Sequence, residues 1–464
     1  MESFDLAVVG AGPAGMAAAL EADALGLSVV LLDDQPAPGG QIWRGIEQAE
    51  ADGMSRSFGA AYAEGAELVR RFRASGVDYR PRTPVWQVEP SWSLYTTRDG
   101  KADIIQAANV LLAHGAQERP APFPGWTLPG VLTVGAAQIM LKLSRQIPED
   151  PVWIAGSGPL VLLYATQLLA QGGRVAGILD TGMPGTLWSA LPHLPLALRR
   201  SGDLLKGLGW LRTLRRSGLR IVRHVTALAA EGADELEAVT YRTADGASGR
   251  IATRLLLIHE GVIPSIHMTM ALECEHDWST AQQCFTPHLD DWGMTSREGV
   301  FVAGDASGIG GANAAAIRGQ LAALGVCRRL GRTKELEDRS ASLRRTLGHT
   351  LATRAFLDAL YPPRRQISLP DDATIVCRCE EVTAGEIRAV AKIGNPGPNQ
   401  VKSFTRCGMG PCQGRMCGYT VTRILAQAHG TTPEKVGFYR IRPPLRQVSL
   451  GELATLVSSS PEVR

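Results

Sequence analysis

The chain has 464 residues, 20% of them charged, and a formal net charge of only +3. On length alone that suggests about three domains, each large enough to bury its own core. The balanced charge gives no footprint for nucleic acid, and no uninterrupted apolar run approaches the ~20 residues of a membrane span, so an integral membrane protein is not expected.

The N-terminal stretch MESFDLAVVGAGPAG lacks a basic region before its apolar segment and runs straight into a glycine turn. That reads as a first β-strand rather than an export signal and predicts a cytoplasmic protein, with a peripheral place at the inner membrane face left open. Residues 5–9 predict a strand, MAAALEADALG a helix and SVVLLDD a second strand. Between the first two lies Gly10-Ala11-Gly12-Pro13-Ala14-Gly15, the Gly-x-Gly-x-x-Gly spacing in its required setting. Gly10 permits the tight turn, Gly12 lets backbone approach a pyrophosphate, and Gly15 lets the helix pack on the strand. Asp33, with Asp34 beside it, ends the second strand where a carboxylate can accept hydrogen bonds from ribose hydroxyls. An adenine dinucleotide is the expected ligand.

The same grammar returns at 152–180: PVWIA, then Gly156-Ser157-Gly158-Pro159-Leu160-Val161, then a helix, then RVAGILD ending in Asp180. Val161 stands where the third glycine belongs, so NAD(P) binding through Gly156, Gly158, Pro159 and Asp180 stays open. Residues 199–216, RRSGDLLKGLGWLRTLRR, predict a solvated amphipathic helix, with a partner or phosphate surface as the alternative. His259 and His267 flank a crossover between domains and are read as structural.

A third glycine-rich stretch, VFVAGDASGIGGANAAAIRGQLAAL at 300–324, predicts a strand, a turn and a long helix. With no strand of its own to follow, it reads as the piece that completes the first domain, the second being inserted between. Asp305, after Gly304, sits where ribityl hydroxyls need an acceptor. The helix that starts after Gly311, at Ala312, would aim its positive end at a flavin ring. FAD fits this site better than NAD. The expected organisation is α/β: residues 1–118 and 259–345 binding FAD, 119–258 a NAD(P)-type domain, 346–372 a linker, 373–435 an iron–sulfur domain and 436–464 a tail.

Five of the eight cysteines fall between 377 and 417. In a reducing compartment such clustering suggests metal ligation. No Cys-x-x-Cys occurs, which removes the redox pair of a disulfide reductase and the knuckle of structural zinc. A four-thiolate [2Fe-2S] cluster is favoured. Cys377 and Cys379 supply two ligands. Cys407, Cys412 and Cys417 are evenly spaced, so spacing does not choose among them. The run from Gly418 looks helical, and Cys417 at its start would set an anionic cluster against the positive helix end, which leaves Cys407 as the spare.

GAGPAG with LLDDQPAPGGQI, AHGAQERPAPFPGWTLPGVLTVGAAQ, GSGPLVLLYATQLL, VFVAGDASGIGG, CRCEEVT and GMGPCQGRMCG together resemble the large FAD-type subunit of bacterial amine dehydrogenase complexes. That family includes the A subunit of opine oxidase, the B subunit of hydrogen cyanide synthase and the alpha subunit of D-hydroxyproline dehydrogenase. The resemblance covers nearly the whole chain. It implies a thioredoxin reductase-like pair of domains and a C-terminal module similar to bacterioferritin-associated ferredoxin. It places the ligands at Cys377, Cys379, Cys412 and Cys417, and adds Gly40, Gln41, Ala113 and Gly115 to the flavin contacts. His114 stands where related flavoproteins have a small residue.

The resemblance further implies a hetero-oligomer in which a D-amino-acid-oxidase-like flavoprotein subunit oxidises the substrate, and in which a small ferredoxin-like chain is a further partner. Some relatives hold FMN between subunits, or an adenine nucleotide such as ATP or ADP at one dinucleotide site. The expected function is electron transfer within an enzyme that oxidises a secondary amino acid, an opine or D-hydroxyproline, to an imine. Quinone, cytochrome or another acceptor takes the electrons. The sequence shows no acid–base pair for the amine chemistry itself. Competing readings are a self-contained NAD(P)H-dependent reductase and a zinc-bearing scaffold.

Overall fold

The computed structural model describes residues 2–332, 336–364, 369–394 and 396–458. The first unit is β1 (Leu6–Val9), α1 (Pro13–Ala24) and β2 (Val29–Leu32). Every residue of both strands is buried, as an unbroken apolar run demands of a parallel strand covered on both faces. α1 begins with Pro13 in its first turn, where the missing N–H costs nothing, and half of its residues are alanine.

The unit repeats as β3 (Val152–Gly156), α2 (Pro159–Ala170) and β4 (Val175–Asp180). Its parallel sheet runs in the order Val131–Thr133, Leu256–His259, β3, β4, Arg220–Val222. Between β4 and Arg220 the chain makes a helical excursion that ends in α3 (Ser201–Arg216). An antiparallel meander, Val225–Glu231 with Ala238–Thr243 and Ser248–Ala252, covers one face of this sheet.

The chain then returns, and Val300–Val302 pairs with Val110–Leu112. This completes a five-stranded parallel sheet in the order Val300–Val302, Val110–Leu112, β1, β2, Asp78–Arg80. α4 (Ala312–Arg329) lies against α1 so closely that a Cβ on Gly319 would sit 2.1 Å from the Ala14 carbonyl oxygen. The α/β architecture is therefore two Rossmann-type domains, the second inserted in the first, as the sequence predicts.

Two of the expected segments carry packed structure. Residues 346–372 are not simply a linker. A helix runs to Thr350, and Arg354–Leu360 forms another, because Phe356 buries its ring against Ala190 and Ala197 of the inserted domain. The described part of the 436–464 tail is packed. Tyr439, Ile441 and Leu445 are buried in a core shared by the C-terminal module and the first domain, and Leu450–Ser458 is helical. The module itself holds a short hairpin, Ile375–Cys377 with Val382–Thr383, and a helix Ala384–Ala391 closed by a Thr383–Glu386 capping box. Helix Pro398–Thr405 and α5 (Gly418–Ala428) complete it. Among the described residues no helix is long and apolar enough to cross a membrane.

Candidate nucleotide site and thiol cluster

Four sequence-distant pieces converge at the C-terminal end of β1. Gly10 has φ +110°, and a Cβ there would lie 2.6 Å from the Ala113 carbonyl oxygen. A Cβ on Gly15 would lie 1.9 Å from the Gly10 oxygen, so helix and turn touch only because both residues are glycine. Gly40 (φ +59°) rests on Gly12, and Gly304 (φ +77°) rests on Ala14, where added Cβ atoms would come within 2.9 Å and 2.8 Å. The glycine turn, the 39–41 segment, the 113–115 strand end and the returning 304–312 loop thus form one cradle. Gln41 follows Gly40 in the chain and is exposed.

Two helices open into that cradle, α1 after Gly12 and α4 after Gly311, and neither first turn is capped by a side chain. Uncapped N–H groups backed by helix dipoles are a ready anion site, which suits a pyrophosphate. Asp33 is 6% exposed. Its carboxylate accepts from Ala11 N at 2.5 Å and Gln35 N at 2.7 Å, and burial pushes its pKa up to about 6. Asp305 acts locally as a staple: its Oδ1 accepts from Gly310 N at 2.8 Å and Gly311 N at 3.0 Å, which fixes the loop ahead of Ala312.

The second turn is not a copy of the first. Gly12 is extended at φ −79°, whereas Gly158 takes φ +105°, and Val161 is buried in the core at 2% exposure. Pro159 opens α2, and Asp180 turns its Oδ1 onto Gly182 N at 2.9 Å.

The five clustered cysteines divide into two groups. The sulfurs of Cys377, Cys407 and Cys417 lie within 4.8 Å of one another, all buried. Cys379, exposed, is hydrogen-bonded with Cys412, half-buried, and a Cβ on Gly410 would lie 2.2 Å from the Cys379 Cβ. Cys417 stands at the N-cap of α5, as the sequence predicts, with no side-chain cap.

Cys407 differs from expectation. The sequence places it outside the thiol group, and instead it is 0% exposed and packed among Cys377 and Cys417. The cause is local: Pro398–Thr405 ends at Arg406 in the left-handed region, which turns the next residue inward. Hydrogen bonds from Cys407 and Cys417 hold the Cys377 thiol far down, to about 2, while that pairing pushes Cys407 up to about 12.

Sequence reasoning missed several groups. Tyr439, 2% exposed, donates its hydroxyl to Cys407 Sγ at 3.4 Å and lies 3.9 Å from Cys417 Sγ. Its one legible trace is a pair of glycines, Gly408 and Gly414, on which its ring rests. The module also reaches the nucleotide cradle. Gln117 Nε2 donates to Arg415 O at 3.0 Å, Trp126 Nε1 donates to Ile375 O at 2.7 Å, and Arg446 pairs with Asp34. At this junction burial, helped by Arg446, pushes His114 down to about 4, and burial with Arg415 pushes His267 down to about 3. The Nε2 atoms of both rings are buried without a partner.

The two glycine-turn domains define the class: residues 4–319 match the family described as pyridine nucleotide-disulphide oxidoreductase, and residues 372–456 match the sarcosine oxidase A3 domain. Within that class the chain belongs to the family of opine oxidase A subunits. It is 45% identical to the A subunit of opine oxidase from Rhizobium meliloti (strain 1021), over 98% of this chain and 100% of that one. The HcnB subunit of hydrogen cyanide synthase from Pseudomonas protegens is 34% identical over 96% of each chain. Among solved structures, L-proline dehydrogenase from P. horikoshii superposes with a TM-score of 0.71 at 20% identity, over 97% of this chain and 79% of that one. Thioredoxin reductase of T. acidophilum gives 0.50 at 17%, over 71% and 99%. At those identities the two structures speak for the fold. The chain is a subunit-type oxidoreductase of a heteromeric amino acid oxidase family.

Proposed function

We propose that the chain is the electron-transferring subunit of a heteromeric enzyme that oxidises a secondary amino acid to an imine. FAD would sit in the cradle of Gly10, Gly12, Gly15, Gly40, Ala113, Gly304 and Gly311. A [2Fe-2S] cluster would be held by Cys377, Cys379, Cys412 and Cys417. A flavin accepts an electron pair and can release it singly, and such a cluster takes one electron at a time.

The single observation that carries this reading is the docking of the thiol module directly on the nucleotide cradle, through Gln117, Arg415, Arg446 and Asp34. The thiol grouping fits as well. Two irons each need two cysteine thiolates. The Cys379–Cys412 pair would serve one, and two of the buried three would serve the other. Tyr439 reaches both Cys407, at 3.4 Å, and Cys417, at 3.9 Å, so the choice of Cys377 and Cys417 as ligands rests on Cys417 standing at the start of α5.

This chain's residues then bind, insulate and orient. The glycine turns admit the nucleotide backbone, the buried histidines stay neutral at the junction, and Arg415 and Arg446 close the seam. Substrate oxidation belongs to a D-amino-acid-oxidase-like partner, consistent with relatives named as subunits, three of them of opine oxidases. The second turn, with Val161 in place of glycine, supports a chain that takes electrons from its partner rather than from NAD(P)H. Co-expression with candidate partner subunits, pull-down, and an amine-dependent dye-reduction assay test the proposal. Recovery of a flavoprotein partner with activity toward an opine or D-hydroxyproline supports it, and an active chain that needs only NADH contradicts it.

A further inference from the structure

The excursion after β4 carries apolar side chains on both of its sides. Its inner side packs in the ordinary way: Ala190, Ala197, Leu194 and Leu204 meet Phe356 and Leu357. Its outer side should then be polar, and it is not. Trp188 is 76% exposed, Leu187 57%, Leu198 55%, Leu205 65% and Leu208 60%. No other stretch of comparable length among the described residues exposes so many large apolar side chains. Large apolar side chains exposed in such number within one stretch point to an interaction surface.

Charge narrows the choice of occupant. Residues 183–216 contain Arg199, Arg200, Lys206, Arg212, Arg215 and Arg216 against one carboxylate, Asp203. Asp203 is itself engaged, by Arg200 at 3.0 Å and Lys206 at 3.6 Å. The segment therefore has a formal charge of +5 against +3 for the whole chain, which leaves the remainder at −2. Positive charge is concentrated in the same segment that exposes leucines and a tryptophan.

On α3 the two features share a face, because Leu205, Leu208, Arg212 and Arg216 recur at helical spacing and all are exposed. Leucines and a tryptophan that enter the headgroup boundary, with arginines and lysine beside them for lipid phosphates, are the chemistry of an interfacial membrane segment. We propose that this face seats the protein on the surface of an anionic phospholipid bilayer. The segment lies on it without crossing, since α3 is 16 residues long and interrupted by charge. The proposal is independent of the redox reading above.

Co-sedimentation tests it, using the full-length chain by itself and with any co-purified subunits, on vesicles of mixed phosphatidylglycerol and phosphatidylcholine and on phosphatidylcholine alone. Binding is expected to the anionic vesicles, to weaken with salt, and to fall about tenfold or more in Leu187→Ser/Trp188→Ser and in Arg212→Glu/Arg216→Glu. Circular dichroism and thermal melting, unchanged in both variants because the altered side chains are exposed, separate lost binding from lost fold. Absence of vesicle binding by the folded wild type overturns the proposal, as does equal binding by the variants. A complex that ignores vesicles, yet falls apart in Leu187→Ser/Trp188→Ser, also overturns it and assigns the face to a protein partner.

Discussion

The side-chain amide of Gln117 donates to the backbone carbonyl of Arg415 at 3.0 Å. Gln117 lies two residues beyond Gly115 of the nucleotide cradle, and Arg415 lies two residues before Cys417. One hydrogen bond therefore spans the two centres that the proposed function requires to exchange electrons. Removing it by Gln117→Ala leaves the Arg415 carbonyl at the seam without that donor, at a cost of about 1 kcal/mol. The expected result is a small fall in melting temperature with iron retained and slower electron delivery to the cluster, read by stopped-flow mixing.

Thiol substitutions should separate the ligands from the fifth cysteine. Cys379→Ser and Cys412→Ser are expected to lose the cluster, read as iron and acid-labile sulfide, because each breaks the pair that serves one iron. Cys407→Ala should keep both irons. Its cost is the packing of one buried sulfur and the partner of the Tyr439 hydroxyl, about 1–2 kcal/mol by denaturant unfolding. Iron loss in Cys407→Ala with retention in Cys417→Ala would reverse the assignment within the buried three.

Gly15→Ala tests the cradle. Its Cβ would fall 1.9 Å from the Gly10 oxygen, so the helix must move off the turn at a cost of about 1–3 kcal/mol. The flavin absorbance of the purified protein should be largely lost. Gly158→Ala meets no atom within 4 Å, though φ +105° strains it, and should leave flavin content unchanged.

Acid should loosen the junction. His114 and His267 are held down to about 4 and about 3, so in the fold they stay neutral where an unfolded histidine, near 6.5, takes a proton. The unfolded state binds more protons between those values, and stability therefore falls as pH drops through 6.5 toward 4. The expected loss between pH 7 and pH 5 is about 2 kcal/mol for each ring. His267→Phe should flatten that slope in a series of urea melts, and an unchanged slope contradicts the assignment.

Much of this was legible in the sequence because the signals are local. Apolar runs such as LAVV and VVLL, glycines at Gly10 and Gly15, and the helix start at Cys417 report geometry within a few residues of themselves. The insertion of the second domain was readable because 300–324 offered a strand and helix with no partner strand of their own. What escaped depended on long-range packing. Tyr439 lies 22 residues from Cys417 and carries no motif, and Cys407 turned inward through one left-handed residue, Arg406. The helix Arg354–Leu360 looked like linker because its stabilising contact, Phe356 on Ala190 and Ala197, belongs to another domain. The amphipathic pattern at 199–216 predicted the helix but not its outward leucines, since periodicity alone does not say which face meets the protein.

The most direct test of the relay is anaerobic reduction of the iron, followed by paramagnetic resonance, in the chain purified with its partner. Secondary amino acid should produce the reduced-cluster signal only when the partner is present, and NADH should produce none. A signal raised by NADH in the isolated chain, or a colourless protein lacking iron and flavin, would contradict the account.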